Sequence, residues 1–369
     1  MENLVPDPQK ADILGLARND LKQLLKAMKQ PAYRGDQVFD WIWHRDTADP
    51  EGMTNLPLVL RRKLKQSFDW SLPSIEAGQT DRDGTTKLVL GLSDGLKVEC
   101  VLIPRIGKSG AEGRAGAEEA AVSWKDTTLC VSTQVGCRFR CVFCRSGRDG
   151  LKRDLRAGEI ASQLLAAGRR LPTGGAITRI VLMGIGEPLD NFENSCRAVR
   201  VWLDNGERAY GGGRIVVSTV GIRPALARLT DELGGKVGLA LSLHAASAVK
   251  RKKMVGKAGR ENPAGILEAA CGFTLPKGEK LTVENVLVGG LNDSQGDARD
   301  LASLLEGKPC MVNLIPLNPA PGMSLVPPPA DRVEAFQNIL KARRILTFIR
   351  RRRGGSIQAA CGQLAFGKQ

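Results

Sequence analysis

Six short apolar runs, each trailed by a stretch with helical spacing, limit the folds open to this chain more than any other feature. They are TLCVSTQ (128–134), ITRIVLMGIG (177–186), RIVVSTVGI (214–222), KVGLALSLH (236–244), LTVENVLVGG (281–290) and CMVNLIPLNP (310–319). Strands alternating with helices make βαβ crossovers and hence a parallel α/β sheet. Six units fall short of the eight that close a barrel, which leaves an incomplete barrel or an open doubly wound sheet. In either, ligands gather at the carboxyl ends of the strands, so Cys137, Gly186, Ser218, His244 and Asn318 are expected around one mouth.

Other patterns flank this core. Residues 1–71 read as a helical accessory domain, with Val38, Trp41 and Ile42 near one face of a helix. Over 72–126 the period switches to alternation: TTKLVLGL and LKVECVLIP, separated by SDG, suggest a hairpin in a small β extension. Within it, 105–126 is rich in Gly and Ala without a strand period and reads as a mobile surface insertion. The core then spans 127–349, and 350–369 form a C-terminal segment.

Charge points to a polyanion. The chain holds 54 Lys and Arg against 39 Asp and Glu, net +15, and two runs concentrate the excess. Residues 246–260 contain six bases and no acid, and 341–355 contain seven and no acid. Two such runs favour a phosphate-binding patch over a merely solvated face. Aromatic residues are only 4% of the chain, too few for a broad base-stacking platform. Neither a signal peptide nor a membrane span is legible, so the expected location is the cytoplasm. Nine Cys, an odd number, argue against a secreted disulfide framework and for metal, redox or catalytic use.

Three of them, Cys137, Cys141 and Cys144, form C-x3-C-x2-C in GCRFRCVFCRSG, just past the first core strand. A structural zinc site would need a fourth thiolate or imidazole, usually from a second knuckle. No second knuckle exists, and the only histidines are His44 and His244. A 4Fe-4S cluster is normally held by four thiolates, so three would leave one iron open to a non-protein ligand. The donor set favours the cluster over zinc.

The C-x3-C-x-Phe-C spacing resembles the radical S-adenosylmethionine (SAM) superfamily. TLCVSTQVGC, MGIGEPLDN, VVSTVGI, LSLHA and AACGQLA narrow the resemblance to the RlmN/Cfr family of RNA methyltransferases, its RlmN branch most. That resemblance implies an incomplete (βα)6 TIM-like radical SAM barrel with an N-terminal helical domain and a small β extension. It implies a cytoplasmic, monomeric enzyme that methylates carbon 2 of an adenosine in 23S rRNA, and in tRNA. Two SAM molecules per turnover are implied. One methylates a cysteine, and the other is cleaved at the reduced cluster to a 5′-deoxyadenosyl radical that activates the S-methyl group. An electron donor such as flavodoxin or ferredoxin would reduce the cluster, and no membrane is involved.

Residue by residue, Cys137, Cys141 and Cys144 match the family's cluster ligands, Cys361 its methyl carrier and Cys130 the cysteine that resolves the RNA adduct through a transient disulfide. Glu99 matches its proton acceptor, a general-base task. Gly186 and Glu187, Ser218, the Ser242, Leu243 and His244 strip, and Asn318 match SAM contacts. Cys361, between a basic run and a glycine, reads as an exposed, thiolate-prone thiol. One departure is marked: after LSLHA the family runs between two prolines, where this chain has ASAVKRKKMVGKAGR. Two alternatives stand beside this reading, a Cfr-like methylation of carbon 8 and a non-catalytic, zinc-stabilised RNA-binding or ribosome-assembly protein.

Overall fold

A computed structural model of the chain describes residues 10–107, 122–205, 210–256, 259 and 261–365. After a short strand β1 (Ala11–Asp12) come three helices, α1 (Arg18–Ala27), α2 (Tyr33–Trp43) and α3 (Leu58–Ser67). Apolar residues four apart share a helix face, so Leu21 with Leu25, Val38 with Ile42, and Leu60 with Leu64 are buried together. Phe39 and Trp43 complete the buried face of α2. Trp41, expected there, is only half-buried: its indole N–H reaches Asn55 Oδ1 at 2.7 Å and Arg45 lies over its ring. Strand β2 (Phe68–Asp69) returns parallel to β1. Hydrogen bonds from Gly158 N–H to Asp12 (2.6 Å) and from Arg18 N–H to Asp204 (2.9 Å) fasten this lead-in to the core.

Among the described residues, ten strands form the main sheet. Its antiparallel end comprises β3 (Ser74–Thr80), β4 (Thr86–Gly91) and β5 (Lys97–Ile106), and β5 pairs antiparallel with β6 (Val122–Cys130). A hairpin of β7 (Gln134–Gly136) and β8 (Leu151–Asp154) follows, then α4 (Ala157–Ala161) and α5 (Gln163–Gly168). Strands and helices then alternate as β9 (Ile177–Leu182), α6 (Phe192–Leu203), β10 (Ile215–Thr219), α7 (Arg223–Leu233) and β11 (Gly238–Ser242). Helices α8 (Ala248–Met254) and α9 (Pro263–Cys271) lead to β12 (Leu281–Leu287), α10 (Gln295–Leu305), β13 (Cys310–Pro316), α11 (Ala330–Ala342) and β14 (Leu346–Ile349). The spatial order is β14-β13-β12-β11-β10-β9-β6-β5-β4-β3, parallel from β6 to β14. The end strands do not pair with each other, so this is an incomplete barrel extended by an antiparallel flank.

All six core runs are strands, and the sixth crossover ends on a seventh, β14. It lies inside the stretch 341–355 that charge alone made a phosphate patch. Thr347 is buried while Leu346 and Phe348 face outward, an edge-strand alternation that the arginines on either side conceal. The arginines divide too: Arg353 holds Asp83 at 2.7 Å and the Pro104 carbonyl at 3.1 Å, leaving Arg351 and Arg352 exposed. In the other basic run, Lys250 grips Asp297 through both oxygens (2.6 and 2.8 Å) and Arg251 is fully buried. Arg251 is therefore no solvent-facing charge, and Lys250, though partly exposed, is already paired.

The segment read as an insertion is shorter than its composition suggests. Arg105 pairs with Ser123 and Ile106 with Val122, so its ends prolong β5 and β6, while 108–121 lie outside the described residues. Pairing continues to Val101 opposite Cys130, which keeps Glu99 and Cys130 on adjacent strands. Among the described residues, no helix is long and apolar enough to cross a membrane.

Candidate active site

The cysteine loop leaves β7 and returns through β8. Cys137 N–H donates to the Gly150 carbonyl (3.2 Å) and Cys144 N–H to that of Cys141 (3.0 Å), folding the loop onto itself at the carboxyl ends of the parallel strands. There Cys137, Cys141 and Cys144 line a cavity of about 150 Å³. Gly186, Glu187, Ser218, Ser242, His244, Asn318 and Cys361 line the same cavity.

Each strand end presents a different chemistry. Glu187, just past β9, is buried, and its two oxygens accept N–H groups from Leu189 (3.1 Å) and Val220 (3.0 Å). Burial nonetheless pushes its pKa up to about 7. Gly186 has φ 109°, and a Cβ there would stand 2.7 Å from Gln134 Cβ, so glycine lets this segment pass close over the base of the cysteine loop. Ser218 and Ser242 bring their hydroxyl oxygens to 3.5 Å across β10 and β11. His244 is held in the left-handed region, φ 63°, the kind of strain that accumulates at functional positions. Its Nδ1 accepts Val286 N–H at 3.2 Å, which places the ring proton on Nε2. Burial, with Arg251 adding to it, lowers its pKa to about 3, so the imidazole is neutral. Leu243 departs from expectation: its side chain packs in the main core, and what it offers is backbone.

The C-terminal segment closes the cavity. Arg145 N–H donates to the Gly362 carbonyl (2.8 Å), Ser146 Oγ to that of Leu364 (2.8 Å) and Asn318 Nδ2 to that of Cys361 (3.3 Å). Cys361 is exposed, as expected, but it is not thiolate-prone: protein crowded around the sulfur raises its pKa, and Arg350 offsets this only in part. Cys130 ends β6 as a buried thiol whose pKa burial drives far up. It lines an adjoining cavity of about 80 Å³ together with Cys361, Met183 and Arg350. All nine cysteines are free thiols. Glu99 lies apart, on a larger cavity of about 630 Å³ that also meets Arg145 and Gln363. It is buried and bound to Lys87 Nζ (3.1 Å) and Ala365 N–H (2.8 Å).

Two residues in the first cavity escaped the reading of the sequence. Glu284, in the middle of β12, is buried with Asn313 Nδ2 on its Oε1 at 2.9 Å, and burial raises its pKa. Arg350, directly after β14, lines both this cavity and that of Cys130. An acid inside the apolar run LTVENVL was a signal for Glu284; Arg350 was indistinguishable from the three arginines that follow it.

Comparison with known proteins settles the family. Residues 11–69 match the ribosomal RNA large subunit methyltransferase N-terminal domain, and residues 131–305 match the radical SAM superfamily. The chain is 40% identical over 357 residues to the dual-specificity RNA methyltransferase RlmN of Sorangium cellulosum, covering 92% of each. The chain belongs to the RlmN family of radical SAM proteins. Another RlmN relative, from Lawsonia intracellularis, is 37% identical over 345 residues and also covers 92% of each chain. A crystal structure of a radical SAM methyltransferase from Sphaerobacter thermophilus matches with TM-score 0.83 and 37% identity, over 96% of this chain and 99% of that one.

Membership of the RlmN family implies a 4Fe-4S cluster and SAM, and the residues present fit both. Among the described residues, no three His, Cys, Asp or Glu side chains converge as a single metal ion would require. The three loop thiols instead share the wall of one cavity, where burial and their mutual proximity raise the pKa values of Cys137 and Cys141. A cationic iron centre would supply the charge that turns such thiols into ligands. For SAM, Glu187 offers a carboxylate to an ammonium, and Ser218, Ser242 and Asn318 offer neutral hydrogen bonds.

Proposed function

We propose that this protein methylates carbon 2 of an adenosine in 23S rRNA, and in tRNA, carrying the methyl group on Cys361. The observation that carries this reading is the junction of two cavities at Cys361, one lined by Cys137, Cys141 and Cys144 and the other by Cys130. Carbon 2 of adenine lies between two ring nitrogens and is too electron-poor to attack a methyl sulfonium. When bound, the cluster and SAM supply a carbon-centred radical able to take hydrogen from an S-methyl group.

The protein's own residues do the rest. Glu187, backed by two N–H donors, orients the amino group of SAM; Ser218, Ser242, Asn318 and the Nε2–H of neutral His244 hold the rest of that molecule. Arg350 favours the Cys361 thiolate for its own methylation, since it lowers a pKa that the protein packed around the sulfur raises. Once the methyl-derived carbon is bonded to the base, the adduct must lose one electron and one proton to become aromatic again; the electron would return to the oxidised cluster, and Glu99 accepts the proton from the ring. Because Glu99 is held behind Ala365, that step calls for the C-terminal segment to shift when RNA binds. Cys130 then attacks Cys361 sulfur: the disulfide forms as the bond from that sulfur to the transferred carbon breaks, and the proton given up by the Cys130 thiol goes to that carbon, which leaves as the methyl group of the base. Two SAM molecules are consumed per turnover, a flavodoxin or ferredoxin reduces the cluster, and the enzyme works as a cytoplasmic monomer.

The test is anaerobic reconstitution with iron and sulfide, then incubation with SAM, a reductant, and 23S rRNA fragments or tRNA. Nucleoside mass spectrometry is expected to show 2-methyladenosine. 8-Methyladenosine would reassign the chain to Cfr-like chemistry, and unmodified RNA from iron-loaded enzyme would overturn the reading.

A further inference from the structure

The stretch 246–260 contains one cation that an RNA-facing patch cannot use. Arg251 has no exposed surface, and burying a charged group costs several kcal/mol unless the interior is arranged to receive it. Its Nε–H donates to the Leu243 carbonyl at 3.1 Å, and Nη2 donates to the Val220 carbonyl. Those carbonyls lie just past β11 and β10, and the Val220 N–H is one of the two donors on Glu187. The same helix, α8, also grips the cysteine loop. Val142 N–H donates to the Met254 carbonyl at 2.9 Å, and Gly256 passes so close to Phe139 that a Cβ would lie 2.1 Å from its carbonyl oxygen. One buried guanidinium is therefore fixed behind the ends of two strands, on a helix that is itself pinned to the cysteine loop. Val142, the donor to Met254, is the residue after Cys141, so the helix that carries the guanidinium is pinned one residue from a thiol of the loop.

We propose that Arg251 is a positioning residue for the iron-sulfur centre: its buried cation stabilises the electron the centre accepts, while its hydrogen bonds lock the ends of β10 and β11 beside the cysteine loop. This rests on the family's cluster being held by Cys137, Cys141 and Cys144. Reduction adds one negative charge to a centre already surrounded by thiolates. A fixed cation out of reach of solvent favours the reduced form, because little water screens it. Lys252 and Lys253, next in sequence, are exposed, and salt and water attenuate their fields. They serve as controls for a general effect of positive charge on α8.

The experiment compares full-length wild type with Arg251→Gln, Arg251→Met, Arg251→Lys and Lys252→Gln after anaerobic reconstitution. Iron and sulfide are assayed first, and the cluster is then titrated with electrons under paramagnetic resonance. Wild type that takes up no cluster would sink the cluster reading itself and leave the variants without meaning for Arg251. With loaded protein, the reduced-to-oxidised ratio at a fixed potential is expected to fall about tenfold in the Gln and Met variants, which for one electron is a downward shift of about 59 mV. Arg251→Lys is expected to stay within about threefold of wild type, and Lys252→Gln to match it. Loss of the cluster in both neutral variants but not in Arg251→Lys would also support the charge requirement. Wild-type ratios in the neutral variants would overturn the proposal. So would a Lys variant that falls with them or loses its cluster, since Arg251 would then act through shape alone.

Discussion

Removing the ammonium of Lys87 tests how Glu99 is held. Lys87 Nζ stands 3.1 Å from Glu99 Oε1, and each side chain is only 4% exposed. At that distance two unit charges attract by about 5 kcal/mol with an effective dielectric constant near 20. Breaking one side of a buried pair typically costs about 3–5 kcal/mol, against about 0–1 kcal/mol for an exposed pair. Lys87→Met is therefore expected to destabilise the chain by about 3–5 kcal/mol, because a carboxylate stays buried with its hydrogen bonds but without its cation. Lys87→Met with Glu99→Leu removes the stranded charge and is expected to lose less than Lys87→Met alone. Its residual cost includes the hydrogen bond from Ala365 N–H, about 1–3 kcal/mol once that donor is left without its acceptor. Urea unfolding of the four proteins, followed by tryptophan fluorescence and circular dichroism in parallel to check for a single transition, gives the cycle. A Lys87→Met loss below about 1 kcal/mol, or a double variant whose loss equals the sum of the singles, would refute the buried-pair argument.

Further outcomes follow from the site. Cys130→Ala is expected to leave RNA covalently attached to Cys361, and Cys130→Ala with Cys361→Ala to leave none; RNA-free protein from the single variant under turnover conditions would contradict the resolving role. Glu187 makes the apo-protein pH-sensitive. Its pKa is about 7 against an ordinary 4.5, so the folded state binds this proton more tightly than the unfolded one does. Stability from this group is greatest at acid pH and declines between about pH 4.5 and 7, by about 3 kcal/mol in all. Glu187→Gln is expected to flatten that slope in urea titrations at pH 5 and pH 8; an unchanged slope would assign it to other groups. Arg351→Glu with Arg352→Glu is expected to weaken RNA binding across sequences and to lower the salt slope by about one per lost phosphate contact. Arg353→Ala should act instead on stability, through Asp83.

How much was legible depended on how local each signal was. The six core strands announced themselves because strands covered on both faces read as unbroken apolar runs. Strand β14 did not: at the sheet edge only Thr347 of its four residues is buried, and seven bases surround those four. The cysteine loop was readable because its three thiols lie within eight residues. The burial of Glu99 was not, since alternation along β5 suits a solvent-facing acid, and what covers it is Ala365, 266 residues further on. Arg251 was hidden by its neighbours for a related reason: a charge count gives sign and density, and not the direction in which a side chain points. Cys361 was found by its motif, while the crowding that raises its pKa comes from distant elements.

The hydrogen bonds between Arg145 and Gly362 and between Ser146 and Leu364 also bear on the order in which the enzyme comes into being. Synthesis runs from the amino end, so the cysteine loop and most of the parallel sheet are made before β14 and the residues after it. A chain arrested before Cys361 can lay down the strands around its cysteines, yet it lacks the segment that closes the cavity over them. Closure of the cavity over the cysteine loop is thereby left to the last part of the chain to be made, after the sheet that bears the cysteines.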